Sequence, residues 1–552
     1  MGEDKILYGG PEPPLIDASS KSLGEVVLKK LSANGNDVMF IDGVSDSKLT
    51  RTQIRQQVIR LAKSLSSVFN IKEGDVIGLC SENRLEFPVV VLAAFCLGAT
   101  IAPLNITYTD REFNHAINLS RPKLIFASRT VIKRAIKISQ QNAFVQKVIL
   151  IDTESSEMGK HFKSKLTISY TELVCSVKIE ECSQFVCRPV NMKNNVALVL
   201  CSSGTTGLPK GVELTQYNVL IGTSQLDATV TQATTFLGRL SILMVIPCFH
   251  AYGLLTMVGM SVCGAEIVFL PKFEEHLFLR TIQTYKTNTA FLVPPLLLFL
   301  AKSPLVDKYD VSSLVVIGCG AAPLSKDISD AVKARLNIFA LRQGYGMSEM
   351  TLSVLAQTDG FDKVGSVGTL RPGTYGKVID PETGKALGPN QRGEMCFKGS
   401  PIMRGYIRNE TATKQTIDAD GWLHTGDIGY YDDDHEWFIV DRLKELIKYK
   451  GFQVPPAEIE AILLTHPDIN DAAVIGVPDE NAGELPFAFV VRKPKSNLTE
   501  KDVIDFVAKT ASPAKRLHGG VKFINAIPKN PTGKILRRVL RDDVTKKPKS
   551  KL

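Results

Sequence analysis

Short apolar runs separated by amphipathic stretches set the rhythm of this chain from about residue 50 to residue 330. Val76-Ile77-Gly78-Leu79-Cys80, Leu124-Ile125-Phe126-Ala127, Val148-Ile149-Leu150-Ile151, Val196-Ala197-Leu198-Val199-Leu200 and Leu314-Val315-Val316-Ile317-Gly318 are such runs. Runs this short and apolar at nearly every position read as strands buried on both faces. Strands alternating with helical stretches predict parallel α/β sheets with helices on their faces. From about 360 to 440 the pattern changes. Gly and Asp become frequent and the runs shorten, as at Gly393-Glu394-Met395-Cys396-Phe397, which predicts a smaller antiparallel or β-barrel-like subdomain. From Asp441 both element types recur. Pro456–Leu464 reads as a helix with Pro in its first turn, 472–477 and 487–491 as strands, and Thr499-x-x-Asp502 as a weakened capping box. The chain is thus expected to divide into a large unit, 1–440, an α+β unit, 441–545, and a basic tail, 546–552. Residues 1–20, rich in Gly and Pro, are expected to wrap the surface.

Composition narrows this picture. A chain of 552 residues is too long for one core. With 44% hydrophobic against 22% charged residues, disorder is not the default. The longest apolar segment, 290–301, is broken by Pro294-Pro295 and falls short of the roughly 18 residues that a membrane helix needs. Ten cysteines, none in a C-x-x-C pair, with no charged-then-apolar leader before them, read as free thiols in a reducing compartment. Ile6 stands where a myristoylation signal after Met1-Gly2 wants Ser or Thr. The net charge is +9, yet Gly533–Leu552 alone carries eight basic and two acidic residues. The rest is near balance, which argues against a nucleic-acid face. The chain ends Ser550-Lys551-Leu552, a tripeptide that reads as a peroxisomal address for the import receptor, and the basic run before it is expected to stay extended.

The candidate chemistry begins at Leu200–Gly211, which packs three glycines, four hydroxyl side chains and Lys210 behind an apolar strand. Such a loop can bring backbone N–H groups and a cation to a polyphosphate. It is not a Walker A loop, because Lys210 is followed by Gly211. Gln343-Gly344-Tyr345-Gly346-Met347-Ser348-Glu349 can stack a base on Tyr345 and hold Mg²⁺ through Glu349. Asp427, after Gly426, can accept both hydroxyls of a ribose. Asp441–Gly451 sets Arg442, Lys444, Lys448 and Lys450 at the expected boundary, and Pro531-Thr532-Gly533-Lys534 sets a lysine in a turn. His250 follows an apolar run and could orient a carboxylate. Each cluster alone also reads as an ordinary turn, a solvated face or a core histidine. No Ser/His/Asp arrangement and no metal-ligand spacing stands out, so a metal is expected only as Mg²⁺ carried with a nucleotide.

In this order along the chain the clusters resemble the acyl-adenylate-forming superfamily, which includes acyl-CoA synthetases, 4-coumarate–CoA ligases and beetle luciferases. The loop at 202–211 matches the pattern Ser/Thr-Ser-Gly-Ser/Thr-Thr-Gly-x-Pro-Lys-Gly, and the likeness runs from about residue 10 to 552. The insect luciferase-like branch is the most similar in texture and in its last three residues. The resemblance implies ATP, Mg²⁺ and CoA, a large α/β domain and a mobile C-terminal domain. It implies that Ser202, Ser203, Gly204, Thr205, Thr206 and Lys210 hold the phosphates. Gly320, Ala321, Ala322, Gln343, Gly344, Tyr345 and Gly346 would line the adenine and acyl pocket, with Ser348 standing where the family usually has Thr. Glu349 would ligate Mg²⁺, and Asp427 and Arg442 would bind the ribose. Lys534 would act in adenylation and Lys448, with Gly451 and Gln453, in the second half-reaction, while Lys272 and Lys450 would contact CoA and Asp441 would be the hinge.

One departure concerns the acid. Where beetle luciferases carry an arginine in the luciferin pocket this chain has Gly222, and Phe249 replaces a histidine before His250. Loss of that cation favours an aliphatic tail, so a medium- to long-chain fatty acid is expected, with Tyr252, Thr256, Met347, Leu352 and Ala322 as pocket candidates. The alternatives are a luciferase, which oxidises the same adenylate, and a ligase of hydroxycinnamates. A non-catalytic nucleotide-binding protein is disfavoured, because Lys210, Glu349, Asp427, Arg442, Lys448 and Lys534 are all present.

Overall fold

The apolar runs at 76–80, 124–127 and 147–150 become parallel neighbours in one sheet of the computed structural model. The structure describes residues 5–33, 35–151, 165–202, 209–357, 363, 365–450, 452–530 and 533–545. Ser203, Gly204, Thr205, Thr206, Gly451 and the tripeptide Ser550-Lys551-Leu552, all singled out above, lie outside the described residues.

That first sheet has eight strands, running from Gly405–Tyr406 through Lys210–Thr215, Val196–Ser202, Thr100–Pro103 and Val76–Cys80 to Thr167–Ser169. A second, nine-stranded sheet is parallel through Ala340–Tyr345, Val316–Cys319, Thr289–Leu292, Ser241–Met244, Glu266–Phe269 and Val38–Asp42. The two share one core: Ile77 and Leu79 of the first cluster with Ile242 and Met244 of the second. The helix Glu86–Leu97 lies in that core and is buried from Phe87 onward, as an apolar-all-round helix must be. The apolar segment 290–301 is two elements. Thr289–Leu292 is a strand, and the helix Pro294–Lys302 starts on the two prolines, whose missing N–H groups cost nothing in a first turn.

The subdomain expected to be barrel-like is an open antiparallel sheet of five strands. Its edges are Trp437–Arg442 and, from the other end of the chain, Leu7–Tyr8, where Tyr8 stacks on Tyr375 at 4.5 Å. Gly405–Tyr406 ties this region back to the first sheet by pairing with Val212 and Glu213. A last sheet holds Ile447–Tyr449, Phe452–Val454, Ile469–Asp479, Gly483–Arg492 and Gly520–Phe523. Asp441 joins it to what precedes. Asp441 Oδ1 accepts the N–H of Arg442 at 2.7 Å, and Oδ2 accepts that of Ala457, at the start of the helix Pro456–Leu464, at 3.1 Å.

The basic tail, 546–552, lies outside the described residues. Arg537–Thr545 is a helix, and Arg537 and Arg541 fold back on Glu460 and Glu445, both at 2.7 Å. Acids earlier in the unit, Glu460 buried and Glu445 half-buried, capture these cations, which the local sequence cannot reveal. All ten cysteines are free thiols. Among the described residues no helix is long and apolar enough to cross a membrane.

Candidate functional site

The two-residue period of the nine-stranded sheet divides its side chains between two jobs. Ala290, Leu292 and Leu341 pack into the core on one face. Thr289, Phe291, Val316, Gly318, Arg342 and Gly344 line a cavity of 710 Å³ on the other. The facing wall is the helix Ala251–Val262, whose Tyr252, Thr256 and Met260 recur at helical spacing, together with Leu226 and Leu352. From Val316 to Gly320 the wall follows a strand for about 13 Å, giving a slot elongated along the sheet. An arm of the cavity reaches Cys201 and Pro209, on either side of the glycine-rich loop.

At the mouth of the slot the backbone is closely packed. A Cβ on Gly346 would lie 1.9 Å from the Leu352 carbonyl oxygen. Ala321, Thr351 and Leu352 hold φ of 71°, 47° and 83°, and such strain concentrates where a site over-determines the chain. Thr351 is held there by its hydroxyl, which donates to Pro401 O at 2.6 Å. Among the described residues, His250 Nε2 and Thr256 Oγ1 are buried in the walls without a hydrogen-bond partner. Burial pushes the His250 imidazole down to about 4, so it is neutral at physiological pH.

The polar region around Lys210 and Glu349 is built where three segments meet. Lys210 pairs in register with Ser202, and its Nζ lies 4.6 Å from the centre of the Tyr406 ring. The Tyr406 hydroxyl donates to Glu349 Oε1 at 2.9 Å, and Glu349 is buried. Tyr406 has no motif signal; it arrives through the two-residue strand that pairs with Val212 and Glu213.

Asp427 and Arg442 sit opposite each other in an antiparallel pair, with Arg442 Nε 3.3 Å from Asp427 Oδ1. Tyr345, expected to stack a base, is buried beside Phe397, and its hydroxyl donates to Asp427 Oδ2 at 2.6 Å. The turn before Asp427 is fixed by Glu394, whose Oε1 accepts the Gly426 N–H at 2.9 Å while Oε2 lies 3.2 Å from His424 Nδ1.

Lys534 closes the mouth from the far end of the sequence, lining the cavity with Gly344, Gly346, Met347 and Ser348. Its turn is seated by Asn530, which accepts the Lys534 N–H at 2.9 Å, and by Gly533, packed against Pro295. Burial, reinforced by Arg442, lowers the Lys534 ammonium to about 8.

Of the other residues singled out by sequence, Gly320, Ala321, Gln343 and Tyr252 line the cavity and Ala322 does not. Lys448, Lys450 and Gln453 are exposed on the hairpin Ile447–Val454, away from the cavity, and Lys272 is exposed on another surface. Gly222 indeed contributes no cation, but the wall carries two arginines that the motifs did not flag, Arg342 and Arg371. Arg371 follows a two-residue strand and has no local signature.

The profile of the AMP-binding enzyme family matches residues 29–407, and that of the AMP-binding enzyme C-terminal domain matches 458–534. The chain is 44% identical over 554 residues to luciferin 4-monooxygenase of Luciola mingrelica, covering 100% of this chain and 99% of that one. It is 38% identical over 536 residues to a probable 4-coumarate–CoA ligase of Dictyostelium discoideum, covering 96% of each. The crystal structure of ATP-bound MatB from Rhodopseudomonas palustris superposes with a TM-score of 0.83 at 25% identity, covering 95% of this chain and 99% of that one. Apo MatB superposes with a TM-score of 0.74 at 25% identity, covering 95% of this chain and 99% of that one.

Proposed function

The chain belongs to the AMP-binding enzyme family, and on that premise we propose that it is an ATP-dependent acyl-CoA ligase acting on medium- to long-chain carboxylic acids. The acid would be joined to AMP, with loss of pyrophosphate, and then transferred to the thiol of CoA. The observation that carries the reading is Lys534, half-buried at the mouth of an elongated and largely apolar slot. A carboxylate attacking an α-phosphate must overcome repulsion between anions. A desolvated ammonium at that point lowers the barrier far more than one in water, because charge builds in the transition state.

Lys210 and the residues from Ser202 to Thr206 would hold the phosphates, while Asp427 and Arg442 would hold the ribose. Glu349 suits Mg²⁺: it is one buried carboxylate, and its Oε2 makes no hydrogen bond among the described residues, whereas Mg²⁺ commonly takes one or two carboxylates beside phosphate oxygens. Bound there, the ion would neutralise phosphate charge. Neutral His250 and Thr256 would meet polar atoms of the acid near its carboxyl end. Lys448, Lys450, Gly451 and Gln453, with Lys272, would serve CoA and thioester formation after the last unit turns about Asp441.

The test separates the two half-reactions. Lys534→Ala is expected to slow acyl-AMP formation by about 10²–10³-fold. Thioester formation from supplied acyl-AMP should stay within about 2-fold. Lys448→Ala should reverse the pattern, and equal losses in both steps would refute the division of labour.

A second reading, oxidation of the adenylate with light emission, draws support from the likeness to luciferin 4-monooxygenase. The probable 4-coumarate–CoA ligase keeps an aromatic acid in view. Photon counting with luciferin, ATP and Mg²⁺, beside CoA-dependent AMP release across fatty and aromatic acids, separates the three.

A further inference from the structure

The cavity wall holds a cation for which adenylation has no use. Arg371 follows the strand Thr369–Leu370, and its N–H donates to Val354 O at 2.9 Å. Its side chain lines the cavity beside Leu352, Ser353 and Ala356. Nη1 donates to Ser353 Oγ at 3.3 Å, and Nε is buried without a partner. Nη2 makes no hydrogen bond among the described residues, and no acid among them faces the guanidinium. Burial alone acts on the group and pushes it down to about 10, so it remains charged at physiological pH.

A buried cation without a counter-ion is costly, and a ligand that brings the opposite charge removes the cost. The position fits a ligand longer than its reacting carboxyl. Leu370 pairs with Leu355, and Ala356 with Gly344, so the chain entering Arg371 runs two strand spacings, about 10 Å, from the strand that ends beside the mouth. The same cavity is lined by apolar side chains such as Leu226, Leu240 and Phe291, which suit a hydrocarbon body. The planar guanidinium fork, steadied on Ser353, matches a carboxylate.

We propose that the acid activated here carries a second carboxylate and that Arg371 receives it at the end of the acyl group remote from Lys534. This deepens the ligase reading and rests on it. Arg371 is then the residue that selects α,ω-dicarboxylic acids over fatty acids of the same length.

The experiment compares monocarboxylic acids with α,ω-dicarboxylic acids of matched length in AMP release. The wild-type chain should favour the dicarboxylate by at least about 10-fold in kcat/KM at its best length. Arg371→Met should lower kcat/KM for that dicarboxylate by about 10²–10³-fold, as a site built to bond a polar group loses when the partner goes. Its rate with the monocarboxylate should stay within about 3-fold, which also establishes that the variant folds. Arg371→Lys should recover part of the loss. A preference for the monocarboxylate at every length, or an equal loss for both acids in Arg371→Met, overturns the proposal. Preference for a terminal phenolate or hydroxyl over the dicarboxylate overturns it as well. Calorimetric binding of the dicarboxylate separates the two levels. If no acid yields AMP or thioester while the dicarboxylate binds wild type and not Arg371→Met, the ligase reading falls and the assignment of Arg371 stands. AMP release that ignores the distal group has the opposite meaning.

Discussion

Lys534 and His250 share a cavity but not a charge state, and desolvation explains both. Desolvation disfavours the charged form of each, yet Lys534 starts so high that lowering leaves it near 8, whereas His250 falls to about 4. The proposed chemistry needs the ammonium, which exists below the lowered value. Adenylation kcat/KM, which reports the free enzyme, should therefore fall as pH rises through about 8, with no limb from His250 between about pH 6 and 8. Lys534→Arg should be slower and should lose that alkaline limb, because a guanidinium does not deprotonate. A limb that survives in Lys534→Arg assigns it to another group and removes Lys534 from the step. At this scale the sequence was readable where chemistry needs several residues together. Glycine, hydroxyl and lysine in one loop, or Gly-Asp followed by a distant Arg, have a recognisable composition. Tyr406 and Arg371 were not readable, because each is a single residue delivered by a two-residue strand whose pairing is settled by the rest of the sheet.

Elements were legible in proportion to how much of their burial was local. The runs at 76–80 and 124–127 and the helix Pro456–Leu464 fall where the apolar pattern and the proline put them. The edge strand Leu7–Tyr8 is too short to carry a period, and it exists because Gly376 and Tyr375 accept it. The helix Arg537–Thr545 is the sharpest case. Its arginines look like a solvated tail, but Arg537 Nη2 lies 2.7 Å from Glu460 Oε1, with both side chains nearly buried, and Glu460 Oε1 also accepts the Val474 N–H at 2.8 Å. Burial raises the Glu460 carboxyl above its usual range while Arg537 opposes that rise. Arg537→Met leaves the carboxylate unpaired, so the C-terminal unit should lose about 3–5 kcal/mol at neutral pH. The sign of the pH dependence follows. A carboxyl with a raised folded pKa is destabilising when ionised, so the deficit should shrink as pH falls through that value toward the unfolded one. Calorimetric melts of both chains across pH check this. Trp422 and Trp437 both lie before Asp441, so their fluorescence would miss the transition. A deficit that is constant with pH would show that lost packing, not the stranded charge, is responsible.

At the scale of the molecule the sequence names both lysines of the last unit but cannot say which one faces the cavity. Their positions relative to the first unit depend on how two separately packed bodies meet, and no local pattern encodes that. Among the described residues the contact includes the Gly533 turn beside Pro295, Lys534 in the mouth, and Arg392 3.7 Å from Glu458. A contact of that kind is easily exchanged for another, and Asp441, bonded on one side to Arg442 and on the other to Ala457, is the joint between the units. Lys448, on the hairpin Ile447–Val454, is exposed and lines no part of the cavity in this arrangement, so serving that cavity requires the unit to turn. Hydrogen exchange should record the turn in two places. With ATP and a non-reactive acid analogue, amides near Lys534 should stay protected and those of the hairpin should gain no protection over the free enzyme. With a stable acyl-AMP analogue and CoA, protection should leave the segment from Lys529 to Ile535 and appear at Ile447–Val454. Asp441→Ala removes both side-chain bonds at the joint, each worth about 1.5–3 kcal/mol for a charged acceptor, and should blunt the exchange of protection without abolishing ATP binding. Protection that stays with Lys534 throughout, in a chain that still forms the thioester, would mean that one arrangement serves both steps.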